Sequence, residues 1–192
     1  MYFTRALAGI CFGVCAIAVF AAPAPAHEIV LLVGRSAAGQ IKIDADLHHP
    51  VGLEPSAFSG ISGYAFGEPA FHSTVLDDPA NDFFQPSTAT NFQFVLVSAD
   101  PGIEIYTPSG PVPLNTPVTL GQPVFDFHPV WHIPSGPIGA MYNLTLKVQD
   151  TTGTYTESAP LTVPFQAVPE PHTLGLLALT PLLLRRRRAR DE

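Results

Sequence analysis

The stretch from Gly39 to Leu47, GQIKIDADL, alternates between apolar and polar residues. In an extended strand its apolar side chains would lie on one face and its charged side chains on the other. The chain has no window with a convincing helical period of 3.6 residues. Short alternating runs bounded by Gly, Pro, Asn and Asp predict an all-β fold, a single antiparallel β-sandwich of immunoglobulin-like or jelly-roll-like type.

Further runs have the composition of strands, and dense turn residues separate them. We expect a hairpin turn at Asp150–Gly153, and a long, partly ordered loop at 50–85, where Gly, Pro, Ser and Asp are scattered with little alternation. The predicted strands are Glu28–Gly34, Asn91–Ser98, Ile103–Tyr106, Thr116–Leu120, Val124–His128, Tyr142–Asp150 and Leu161–Phe165.

The N-terminus has the pattern of a secretory signal peptide. Arg5 precedes an apolar run from Ala6 to Ala22, and an A-P-A cleavage site ends at Ala26. Residues 1–26 are therefore predicted to be removed, so that the mature chain begins at His27. Both cysteines lie in this segment, at positions 11 and 15, so the mature protein is expected to contain no disulfide.

The C-terminus joins a Pro-Glu-Pro triplet (169–171), an apolar stretch (174–184) and a basic cluster ending at Arg190. This order resembles the PEP-CTERM sorting signal of Gram-negative bacteria. The resemblance implies that residues 169–192 are held transiently in the inner membrane as a transmembrane helix and are cut by an exosortase. The cytoplasmic arginines agree with the positive-inside rule. The expected location is the cell envelope or extracellular surface.

The remaining residues, 27–168, are enough for one domain with one core. They contain thirteen acidic and three basic residues, a formal net charge of −10. Because such a domain has no basic patch, we expect no binding to nucleic acid. Cations are the more natural partners, and the alternative is an acidic face that serves solubility.

The stretch VFDFHPVWHIPSG (124–136) contains a possible metal-binding pair. On a strand, Asp126 and His128 would point to the same face with Cα atoms roughly 6.5 Å apart, near enough to reach one ion. Pro129 is expected to bend the strand before His132, which is therefore left out of the ligand set. Trp131 is predicted to be a core or site-wall residue.

Other histidines supply further candidate ligands. His27 would offer its imidazole and a free amino group. His48 and His49 follow the alternating strand, and their parity allows at most one of them to face a given site. His72 in EPAFHS is a further candidate. Zinc takes three or four His or carboxylate ligands, whereas calcium requires more oxygens. LDDPAND (76–82) lacks the spacing of a calcium loop and is predicted to be a turn. The predicted metal ligands are His27, His48, His49, Asp126 and His128.

The N-terminal histidine, GEPAF (67–71), FDFHPVW (125–131) and the segment that follows resemble a family of secreted bacterial β-proteins with an H-x-H-x-x-W segment. Some members carry PEP-CTERM tails and are under zinc-uptake regulation, and related domains accompany zinc transporters. His128 matches the second histidine of that segment and Trp131 its aromatic residue, while Asp126 replaces the first histidine. The resemblance implies zinc binding at the envelope and no catalysis.

Three functions follow from these patterns. The first is a non-catalytic zinc-binding surface protein. The second is a structural or adhesive protein of the exopolysaccharide matrix. The third is a copper protein in which His27 forms a histidine brace with His128. Because the chain has no G-x-S-x-G, H-E-x-x-H or cysteine nucleophile motif, we predict that it is not an enzyme.

Overall fold

The computed structural model describes residues 29–169, and within them the chain is all-β, as predicted. One short 3-10 helix, Pro79–Asn81, interrupts the strands. The strands are β1 (Val30–Arg35), β2 (Ile41–Asp44), β3 (Val51–Leu53), β4 (Tyr64–Phe66), β5 (Ala70–Ser73), β6 (Phe92–Ala99), β7 (Glu104–Thr107), β8 (Gly110–Pro111), β9 (Pro117–Gly121), β10 (Asp126–Phe127), β11 (Val130–Ile133), β12 (Met141–Asp150) and β13 (Leu161–Ala167).

The strands form three sheets that pack together as a sandwich-like single domain. Their orders are β10-β5-β1-β2, β4-β11-β7-β8 and β3-β13-β12-β6-β9. The pairings are antiparallel except for β1 with β5 and β3 with β13, which are parallel. Parallel neighbours require a long connection, so these two pairs join segments that are distant in the sequence.

The core lies where the sheets face one another. Along β12, Leu144, Leu146 and Val148 are fully buried and alternate with more exposed residues. Phe71 of β5 stacks on Phe94 of β6, with ring centroids 5.0 Å apart, so the first sheet packs on the five-stranded sheet. Trp131 of β11 and Phe165 of β13 are also 5.0 Å apart. Trp131 is fully buried, which confirms its predicted place in the core.

Several local predictions are corrected by the structure. The segment 50–85 is not one loop, because β3, β4 and β5 lie within it. The alternating strand ends at Asp44 rather than Leu47, and the predicted strand at 124–128 retains only Asp126 and Phe127. After the turn at 151–153 the chain does not pair with β12 at once, as a simple hairpin would. It first forms an isolated parallel bridge between Thr156 and Gln40. Its strand β13 begins only at Leu161.

The predicted signal peptide and almost all of the predicted sorting signal lie outside the described residues. Within residues 29–169, no helix is long and apolar enough to cross a membrane. The turn predicted at LDDPAND is present: Asp78 caps the 3-10 helix and accepts hydrogen bonds from Ala80 N and Asn81 N. Its hydrogen bond with the Asn81 side chain, followed by those with the backbone, holds the pKa of Asp78 below its usual range.

Candidate metal centre

The centre is built on β5 and β10, at the β10 edge of the sheet β10-β5-β1-β2. The two strands pair so that Asp126 is opposite His72 and Phe127 is opposite Phe71. Phe71 is fully buried and Phe127 packs against the core. Because side chains alternate along a strand, His72 and Asp126 point away from the core on the opposite face. The core phenylalanines therefore fix the orientation of the polar pair.

His128 joins this pair from just beyond the end of β10. Its Nε2 atom lies 2.8 Å from Asp126 Oδ1, and His72 Nε2 lies 3.0 Å from the same oxygen. One ligand atom from each of His72, Asp126 and His128 lies within 4.8 Å of the other two. The imidazole centroids are 6.0 Å apart, and the rings are inclined by 68°. Two imidazole nitrogens and a carboxylate oxygen thus converge on one point.

His72 Nε2 is buried and makes no hydrogen bond, although it lies so close to Asp126. A buried polar atom without a hydrogen bond is uncommon in folded proteins and indicates a bound water, an ion or a functional role. The His72 side chain is 30% exposed, whereas Asp126 is 64% exposed and His128 is 46% exposed. This nitrogen contacts Asp126 Oδ1 without making a hydrogen bond, and it belongs to the least exposed side chain of the three.

These donors fit zinc. Tetrahedral zinc binds His nitrogens and carboxylate oxygens at ~2.0–2.2 Å, so its ligand atoms lie about 3.3 Å from one another. The two contacts of Asp126 Oδ1 are close to that spacing, and the histidine nitrogens are no farther apart than 4.8 Å. The side chains would have to rotate to bring any wider separation, up to 4.8 Å, to the spacing of zinc ligands.

Glu68 contacts the far side of the His128 ring. Its Oε1 atom lies 3.2 Å from His128 Nδ1, opposite the nitrogen that faces Asp126. The Glu68 side chain is only 17% exposed, and its Oε2 atom is buried without a hydrogen-bond partner. His128 is thus held between two carboxylates, one on each ring nitrogen.

Two open clefts meet at His72. The larger, about 850 Å³, is lined by His72 and Asp126 together with apolar residues and Lys42. The smaller, about 590 Å³, is lined by His72, His49, Asp44 and Asp46. At the larger cleft, the Lys42 ammonium group donates hydrogen bonds to the carbonyl oxygens of Asn81 and Asp82.

The structure brings together only part of the predicted ligand set. Asp126 and His128 meet as their spacing predicts. His48 does not join them: its side chain is 91% exposed and lies 3.9 Å from Asp46. His49 lines the smaller cleft but is outside the three-residue group. His27 lies outside the described residues.

His72 and Glu68 complete the centre, and the predicted ligand set contains neither. The residue type makes His72 a further candidate in the sequence, but only the pairing of β5 with β10 shows which histidine adjoins Asp126. Glu68 lies in the short connection between β4 and β5, where no spacing rule singles it out. Its one signal in the sequence is the GEPAF motif of the family resemblance.

His132 belongs to a different part of the molecule, as expected from the bend at Pro129. It is 5% exposed on β11, and its Nε2 lies 2.6 Å from the carbonyl oxygen of Ser62. Its Nδ1 lies 3.5 Å from Glu104 Oε2. Glu104 also raises the pKa of Tyr106, first through a hydrogen bond and then through its negative charge.

Comparisons with protein-family models, with curated proteins and with solved structures each find no match to this chain. The centre is therefore interpreted from its own geometry and chemistry.

Proposed function

We propose that this protein is an exported, cell-envelope-associated β-sandwich protein that binds zinc and is not a catalyst. The observation that carries the proposal is the convergence of His72, Asp126 and His128 within 4.8 Å, with His72 Nε2 buried and lacking a hydrogen bond. A zinc ion between these donors would give that nitrogen a partner. It would also offset the charge of Asp126 in a domain of net charge −10.

The donor types favour zinc over calcium. Calcium is bound by six to eight oxygens, whereas imidazole nitrogens suit zinc and copper. Three protein ligands with an exposed fourth position distinguish this centre from closed structural zinc sites, which have four protein ligands. The exposure of Asp126 and His128 suits an ion that exchanges with the medium. Holding or buffering zinc outside the cell is the role that these properties support.

The proposed location depends on the two ends of the sequence. A cleaved signal at 1–26 would export the chain, and a PEP-CTERM tail at 169–192 would anchor it in the inner membrane until an exosortase acts. The proposed partners are therefore the sorting enzyme and, transiently, the membrane.

A role in the exopolysaccharide matrix is the second candidate, and the larger cleft favours it. Val124 and Leu76 at this cleft are each 74% exposed, and Val75 is 53% exposed. Exposed apolar groups around a concave surface are typical of binding sites for other molecules. Binding of a glycan here would not require a metal, so a chelator separates the two functions.

The test is metal analysis and zinc calorimetry on the full chain, purified in mild detergent without chelator. We expect about one zinc per chain, retained in His48→Ala and lost in both His72→Ala and His128→Ala. His48→Ala is the matched control, because it removes an exposed histidine outside the group.

The other outcomes are equally specific. If neither the wild-type protein nor the variants bind metal, the zinc proposal is wrong, and glycan binding that survives a chelator would support the matrix role. The histidine brace needs the free amino group of His27, so it is tested on the chain cut after Ala26: copper that this chain binds in place of zinc, and that its His27→Ala variant loses, would support the brace.

A further inference from the structure

Among residues 29–169, Glu68 is the acidic residue that contacts the proposed zinc centre from behind a ligand. Its Oε1 atom is 3.2 Å from His128 Nδ1, while Asp126 Oδ1 is 2.8 Å from Nε2 of the same ring. The two ring nitrogens point in different directions, so the carboxylate on Nδ1 does not face the ion that Nε2 would bind. The three-residue donor group accordingly excludes it.

We infer that Glu68 is a positioning residue that fixes the tautomer and orientation of His128. A neutral imidazole carries one N–H, and the hydrogen bond made by that N–H decides which nitrogen keeps the lone pair. A hydrogen bond donated by His128 Nδ1–H to the Glu68 carboxylate would leave the Nε2 lone pair free for the ion. Carboxylates behind metal-bound histidines commonly have this role. The inference rests on the proposed zinc function.

The backbone beside Glu68 is held by the core. The neighbouring carbonyl of Pro69 accepts a hydrogen bond of 2.9 Å from the indole N–H of the fully buried Trp131. On the other side, Ala70 N donates to Ile29 O and begins the parallel pairing of β5 with β1. Glu68 is therefore presented to His128 from an anchored segment, which is the property that a positioning residue requires.

The carboxylate itself has no competing partner among the described residues that would explain its burial. Its Oε2 atom is buried without a hydrogen bond, and the side chain is 17% exposed. Burying an ionised carboxylate is unfavourable unless a donor compensates for the lost water. His128 Nδ1, 3.2 Å from Glu68 Oε1, is in position to be that donor.

The experiment compares Glu68→Ala, Glu68→Leu and Glu68→Gln in the full chain. Long-range ¹H–¹⁵N NMR of the His128 ring reports the tautomer, and calorimetry with zinc reports the affinity. Glu68→Ala and Glu68→Leu should shift metal-free His128 toward the Nε2–H tautomer, because Asp126 remains as an acceptor, and should weaken zinc binding ~10–100-fold while one zinc still binds per chain. Glu68→Gln should keep the Nδ1–H tautomer and lose less affinity, because the amide oxygen still accepts.

Glu104→Ala is the matched control. Glu104 lies beside Nδ1 of a different histidine, His132, at 3.5 Å, and takes no part in the centre. Its removal should leave the His128 tautomer and the zinc affinity unchanged. Glu68→Leu fills the volume that Glu68→Ala leaves empty. The amide NMR spectrum establishes that each variant has folded.

Two results would overturn the inference. If the His128 tautomer and the zinc affinity are unchanged in the folded Glu68→Ala and Glu68→Leu variants, Glu68 does not position His128. Complete loss of stoichiometric zinc in those folded variants would make Glu68 a direct ligand instead. If the wild-type protein binds no zinc, the proposed function fails, yet the tautomer of metal-free His128 still decides whether Glu68 orients the ring.

Discussion

Gly63 lies where the chain between β3 and β4 passes against the end of β11. Its φ is +96°, and a Cβ atom at this position would be 2.3 Å from Ile133 O and 2.5 Å from Pro134 O. The clash would be with backbone atoms, which cannot rotate away as a flexible side chain can. This glycine is therefore needed both for its backbone conformation and for the close approach.

Gly63→Ala should lower the free energy of unfolding by roughly 3 kcal/mol, because the strain of a positive φ adds to a steric clash. Gly60→Ala is the control: φ is +81°, but no atom lies within 4 Å of the added Cβ. That variant should lose about 1 kcal/mol, from conformational strain alone. Urea unfolding measures both values, and equal losses would contradict the role of the close approach.

Among single residues, local spacing could predict Asp126 and His128 but not their partners. Side chains two positions apart on an extended segment lie on the same face and can meet. This spacing can be read directly from the sequence. His72 meets them only because β10 pairs with β5, and Glu68 only because its loop lies behind His128. Contacts between segments more than fifty residues apart produce no periodic pattern in the sequence.

At the scale of elements, long alternating strands could be predicted and short ones could not. β6 and β12 run for eight and ten residues, long enough to show a period of two. β3, β4 and β5 have three or four residues each, and β3 and β5 pair in parallel with β13 and β1. Their stability comes from those neighbours, so the segment 50–85 resembles a loop when its sequence is considered alone.

The connection from β12 to β13 depends on the carboxylate of Asp150. Its oxygens accept hydrogen bonds from Thr152 N and Thr154 N, both at 2.9 Å, and from Tyr155 N at 3.2 Å. Burial raises the pKa of Asp150, but hydrogen bonds from Thr152, Tyr155 and Asn91 outweigh it and hold the pKa below its usual value. The ionised carboxylate therefore stabilises the folded turn.

Asp150→Asn should be about 1–2 kcal/mol less stable than the wild type at neutral pH, because the amide cannot accept all of these bonds. A lowered folded-state pKa contributes stability above the unfolded value, about pH 3.9, and that stability is lost as the pH falls through the folded value. The difference between the two proteins should thus shrink below about pH 4.

Urea unfolding from pH 3 to 7 measures this difference, with Asp44→Asn, a change of an exposed carboxylate on β2, as the control. The control should stay close to the wild type throughout. A difference between Asp150→Asn and the wild type that is independent of pH would show that the charge of Asp150 is not what the turn requires.

At the scale of the molecule, the proposed centre lies at a sheet edge and the core lies elsewhere. The buried cluster draws on all three sheets, whereas His72, Asp126 and His128 reach solvent on the outer face. We therefore expect that the fold does not need an ion to hold its sheets together, unlike small domains that are unfolded without their metal. Zinc is expected to add stability only by binding the folded state.

The metal-free protein should consequently remain folded in chelator and melt cooperatively. Zinc at a hundred times its dissociation constant should stabilise the folded state by ~2.7 kcal/mol, which raises Tm by roughly 5–10 °C for a domain of this size. The increase should grow with the logarithm of zinc concentration. Differential scanning calorimetry across a zinc titration measures it.

The His128→Ala variant distinguishes stabilisation by zinc binding to the folded state from a structural requirement for the metal. Because His128 is 46% exposed, its removal should leave the metal-free Tm within about 2 °C of the wild type while abolishing the increase with zinc. Unfolding of the wild-type protein by chelator would instead mean that the ion holds the fold together. That outcome would make the centre a structural site and remove the basis for an exchangeable store of zinc outside the cell.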